Sequence, residues 1–112
     1  MTRPSAPRHL TPESRALFRS VVDRFELEPR HETILLAALE ARDRMTQARE
    51  AIERDGAYQP DRYGGSKAHP AIAVERDSRA AMLHAWRQLG LDDLPEAPST
   101  PRTNPLNVHG RR

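Results

Sequence analysis

The chain has 112 residues, so it is short enough for a single domain, and its hydrophobic content of 37% is too lean for a large core. It has no cysteine, which excludes disulfides and thiolate metal sites. The net charge of +2, with a pI near 9.7, rules out a polybasic protein overall, and Lys67 is the one lysine among 18 Lys and Arg.

Residues 1–9 are polar, carry Pro4 and Pro7, and read as a flexible N-terminal arm. Thr11 is a helix N-cap, with Pro12 at the first helical position and Glu13 in the first turn. Leu17, Phe18, Val21, Val22 and Phe25 share one face of this first helix, and Arg15, Arg19, Asp23 and Glu26 the other. Glu28 before Pro29 breaks the helix, and Pro29 opens the next.

The stretch 29–55 is one long amphipathic helix of roughly 40 Å, and the rest of the chain is arranged around it. Its seam runs Ile34, Ala38, Ala41, Met45, Ala48 and Ile52, alternating steps of four and three as a heptad does. Leu35, Leu36 and Leu39 widen the first half of the stripe. Arg42, Asp43, Arg44 and Arg49 fall on the polar side, and Glu50 and Arg54 have the spacing of an i,i+4 pair. Gly56 supplies a left-handed stop. A seam this long and this rich in alanine is expected to become dry by oligomerisation, with those six residues facing sister chains.

Tyr58, Tyr63, Pro60 and the Gly64-Gly65 pair mark a loop or small β-hairpin that turns the chain back. Pro70 opens a third helix that ends before Gly90, with Ile72, Val74, Ala81, Met82, Leu83, Ala85, Trp86 and Leu89 as its apolar positions. This helix should run antiparallel to the long one. From residue 92 the composition shifts to proline, which reads as an extended or disordered tail over 92–112. The expected fold is therefore all-α: a short first helix, a long helical hairpin over the rest of 10–91, and two polar ends.

Catalytic motifs are missing. Gly64-Gly65-Ser66-Lys67 lacks the order and spacing of a phosphate loop, and the histidines are too scattered for a metal site. His69 reads as a helix-entry residue and His84 as a rim residue. No nucleophile elbow is present. No catalytic residue, cofactor or metal is expected. No apolar run approaches a membrane span, the N-terminus lacks the core of a signal peptide, and a cytoplasmic setting is the expectation. Nucleic acid is the better supported partner. Arg15 and Arg19 sit one turn apart on the first helix, with Arg3 and Arg8 just upstream, and together could neutralise several phosphates. No helix-turn-helix recognition helix is evident.

The capped first helix, the long second helix closed by Gly56, the His69-Pro70-Ala71 step and the Leu89-Gly90-Leu91 ending together resemble the small subunit of a tailed-phage terminase, of the short kind without a separate helix-turn-helix domain. The resemblance spans roughly residues 10–94. It implies a non-enzymatic, ring-forming adaptor that binds double-stranded viral DNA and regulates the large terminase subunit, which carries the motor chemistry. It also implies a tail that contacts the large subunit, where Arg102, Arg111 and Arg112 are the candidate residues. Two other readings compete: a head-completion adaptor with no DNA role, and a small dimeric DNA-binding regulator.

Overall fold

The computed structural model describes residues 4–98. Three helices carry the fold: α1 (Pro12–Arg24), α2 (Pro29–Asp55) and α3 (Pro70–Leu89). Between the last two lies a two-stranded ribbon, β1 (Tyr58–Pro60) and β2 (Ser66–Ala68), and a single 3-10 turn follows at Leu91–Asp93. Each helix starts on proline, whose fixed φ suits the first turn and whose missing N–H is lost to no partner there.

The caps are local and specific. The Thr11 hydroxyl accepts the Ser14 N–H at 3.2 Å at the start of α1. At α2, His31 Nδ1 accepts the Glu28 N–H at 3.1 Å. At α3, His69 Nδ1 accepts the Ala71 N–H at 2.9 Å, which confirms His69 as a helix-entry residue. Gly56 ends α2 with φ +86° and ψ 149°. This is an extended, positive-φ conformation rather than the left-handed helical one expected, and L side chains avoid it more strongly still. Gly90 ends α3 in the left-handed helical region proper.

α1 lies back along the first half of α2, because Thr11 reaches Asp43 in the middle of α2 while residues 25–28 connect directly to its start. The apolar core sits there: Leu10, Phe18, Val21 and Val22 pack with Leu35 and Leu39 of α2 and Leu89 of α3. Beyond Asp43 the chain continues as a two-helix arm, α2 against the first half of α3, with the ribbon at its far end. The arm closes on small side chains. Ala71, Ser78 and Ala85, seven residues apart on α3, are buried, as are Ala41, Met45 and Ala48 on α2. Small residues at heptad spacing let two antiparallel helices approach closely. Glu75 of α3 is held by both helices, by Arg79 at 3.2 Å and Arg49 at 3.0 Å, and these bonds draw its carboxyl below the ordinary value.

Four expectations change at this level. Leu17 is on the rim of α1, and Ser14 takes the buried position instead. Asp43 points inward, not to solvent. Arg54 forks onto its neighbour Asp55 at 3.1 Å rather than onto Glu50. The start of the proline-rich segment is docked: Glu26 N–H donates to the Pro95 carbonyl at 2.8 Å and Ala97 N–H to the Arg24 carbonyl at 2.9 Å, an antiparallel bridge between the α1–α2 link and residues 95–97. Main-chain pairing of this kind needs no particular side chain, so composition does not reveal it.

Candidate nucleic-acid interface

The N-terminal end of α1 is built around one buried carboxylate. Asp43 Oδ2 accepts the Thr11 N–H at 2.9 Å, and Oδ1 accepts the Thr11 hydroxyl at 2.8 Å and the Ser14 hydroxyl at 2.6 Å. Arg42 donates to Ser14 Oγ at 3.2 Å. Burial pushes the Asp43 carboxyl up, but the Ser14 and Thr11 hydrogen bonds and the Arg42 charge outweigh it, and the net shift is downward. The negative charge also complements the positive end of the α1 dipole. This lock pins the start of α1, and with it the turn that carries Arg8.

That turn brings two of the expected DNA-binding residues together. Arg15 donates through Nη1 to the carbonyls of Arg8 and Leu10, both at 3.2 Å, so its guanidinium holds the backbone of the Arg8 turn. Arg15 is half-buried and partly structural, whereas Arg8 and Arg19 are exposed. Arg3 lies outside the described residues. His9, beside Arg8, bonds Glu40 of α2 at 2.7 Å, which ties the same turn to the long helix. The outcome is a basic corner: Arg8 on the turn, with Arg15 and Arg19 one helical turn apart on α1.

The expected oligomer seam is placed differently. Ala38, Ala41, Met45 and Ala48 are 0, 4, 8 and 5% exposed in the single chain, because the protomer's own packing covers them. For these four the expectation of facing sister chains is corrected: they have almost no surface left to bury. Ile34 and Ile52 are half-buried. Ile34 lines an open groove of about 540 Å³ at the broad end of the molecule, with Glu28, Arg30, His31, Arg87 and Asp93 also on its walls. Apolar surface still unpaired lies elsewhere, at Leu17 on α1 and at Val74 and Leu83 on α3. Arg102, Arg111 and Arg112 lie outside the described residues.

Sequence reasoning missed the Asp43 lock, since a lone carboxylate in a charged run gives no sign of facing inward. It expected α3 to run antiparallel to α2, as it does, but did not read the buried stripe of Ala71, Ser78 and Ala85, whose spacing of seven was a usable signal. Among the described residues, no group of three histidines or carboxylates is placed to hold a metal ion, and no helix is long and apolar enough to cross a membrane.

The chain is all-α, with its core at one end and a narrow helical arm at the other. Residues 14–98, more than half of the chain, match the family model described as phage terminase, small subunit. The chain belongs to the phage terminase small subunit family. No curated protein and no solved structure matches it.

Proposed function

We propose that this terminase small subunit is a DNA-recognition adaptor: copies assemble as a ring, bind double-stranded viral DNA, and regulate the large subunit during genome packaging. The family match over residues 14–98 carries the reading. The basic corner supports the DNA step, because Arg8 is exposed on a turn locked by Arg15 and Asp43, and Arg19 is exposed on α1, one helical turn beyond Arg15. Ring formation is supported by the apolar side chains that the protomer leaves uncovered, Leu17, Val74 and Leu83, and no longer by the central seam. A phosphate-directed contact repeated around a ring gains affinity by multivalency.

Equilibrium titration of a labelled duplex at several salt concentrations tests the DNA step, with mass by light scattering on the same samples. The expected result is affinity that falls linearly with the logarithm of salt concentration, and a mass well above two chains. Absent binding at low salt contradicts the DNA step, and a strict monomer at high concentration contradicts the ring.

A further inference from the structure

The ribbon at the far end of the arm is longer than the joint between α2 and α3 requires. Two antiparallel helices can be joined by two to five or so residues, yet residues 56–69 separate α2 from α3 here. The excursion is ordered by its own bonds. Asp61 Oδ1 accepts the N–H groups of Tyr63 and Gly65 at 2.8 and 2.9 Å, and Asp61 N–H donates to the Gly65 carbonyl at 2.9 Å. Tyr58 pairs with Ala68, Gln59 with Lys67 and Pro60 with Ser66. Its side chains, however, face solvent: Tyr58 is 68% and Tyr63 86% exposed, and Arg62 and Lys67 are exposed as well. An ordered ribbon that displays two aromatic rings and buries neither has an ordering cost that no packing offsets.

Its charge says what it fits. Asp61 is the only acid from Tyr58 to Ala68, and that carboxylate already accepts the turn's own N–H groups. At the root of the ribbon, Asp55 is engaged by Arg54 and by His69 at 2.9 Å. Arg62 and Lys67 make no ion pair among the described residues and flank the Tyr63 ring in sequence. Two cations beside exposed aromatics suit a polyanion with sugar and base surface better than an apolar protein patch. Along α2 the ribbon lies roughly 18 Å beyond Asp43, where α1 and its basic corner begin. At about 3.4 Å per base pair, one duplex could lie against both. A two-stranded ribbon also fits the width of a major groove.

We infer that the Tyr58–Ala68 ribbon is a second contact for double-stranded DNA, with Arg62 and Lys67 on phosphates and Tyr63 against the sugar-phosphate edge. This rests on the DNA-binding reading above and assigns it a surface separate from the α1 corner. The test compares duplex affinity and its salt dependence for the full chain, for the Arg62→Ala/Lys67→Ala and Tyr63→Ala variants, and for Arg8→Ala/Arg19→Ala. All four are also weighed by light scattering. Losing two phosphate contacts should make the salt slope shallower by about two and weaken low-salt binding by about tenfold or more, with the mass unchanged. Tyr63→Ala should weaken binding several-fold and leave the slope alone. If the ribbon variants bind as wild type does while Arg8→Ala/Arg19→Ala binds more weakly, the ribbon inference fails and the DNA reading stands. If the ribbon variants change the mass and leave duplex affinity intact, the ribbon is a contact between protein chains and the inference is overturned. If the wild-type chain binds no duplex at low salt, both fall.

Discussion

Ser14 on α1 donates its hydroxyl to Asp43 on α2 at 2.6 Å, in a site closed to solvent, and this bond ties the orientation of the first helix to the middle of the second. The same carboxylate takes both the N–H and the hydroxyl of Thr11. Asp43→Ala would strand three donors at once. Hydrogen bonds to a buried charge are each worth about 1.5–3 kcal/mol and are not additive, so a loss of roughly 3 kcal/mol is expected. Urea denaturation would show it as a lower midpoint, while Glu53→Ala, on the exposed face of α2, should move the midpoint by less than about 0.5 kcal/mol.

The same lock sets an acid limit. The folded Asp43 carboxyl lies below its ordinary value of 3.8, so its contribution is present above that value and is lost as pH falls toward the folded pKa. Stability should therefore drop below about pH 4 in the wild type. Asp43→Asn should remove part of that slope while already being less stable at neutral pH. Asp55 and the half-buried Glu75 are also shifted down, Asp55 chiefly by Arg54 and then His69, and both remain in the variant. The difference between the two acid curves thus isolates Asp43.

His69 joins the two long helices at their ribbon end, with one ring nitrogen on the Ala71 N–H and the other on Asp55. His69→Ala should cost about 1 kcal/mol through the lost cap. His69→Asn, which can still cap, should recover most of it. Amide exchange at the start of α3 would locate the effect, with faster exchange in the alanine variant than in the asparagine one.

Gly56→Ala should destabilise by about 1–3 kcal/mol, because φ +86° with ψ 149° is a conformation that essentially only glycine adopts. Crowding is not the cause, since a Cβ there would meet nothing closer than the Tyr58 carbonyl at 3.7 Å. Thermal unfolding should show the loss, and an alanine variant as stable as wild type would show that the turn readily takes another path.

Met45 separates folding from assembly. It is buried inside the protomer, so Met45→Glu should unfold the chain by placing an unpaired charge in the arm rather than release folded subunits. Leu83→Glu, at a position 48% exposed, should keep its helical circular dichroism. If Leu83 lies in a contact between copies, the mass by light scattering falls in that variant.

The helix boundaries were legible because their signals are local. Pro12, Pro29 and Pro70 each start a helix, and Gly56 and Gly90 each end one. The ribbon was legible from its tyrosines and glycines. The interior was less so, because burial depends on partners far along the chain. Asp43 and Ser14 are 29 residues apart, and each alone reads as a surface residue. The long seam was read as facing sister chains; within the protomer most of it is buried, and α2 packs on α3, where the buried positions Ala71, Ser78 and Ala85 are small enough to be hidden among polar residues. Of the basic corner, the members were named from charge, while the structural duty of Arg15 toward the Arg8 and Leu10 carbonyls needed the fold.

A terminase small subunit acting as an adaptor must be felt by the motor it serves. The direct measurement is ATP hydrolysis by the large subunit on duplex DNA, with and without this chain. The account predicts that the chain alone hydrolyses no ATP and that adding it changes the large subunit's DNA-dependent rate. A rate left the same when the chain is demonstrably bound to the DNA would contradict it.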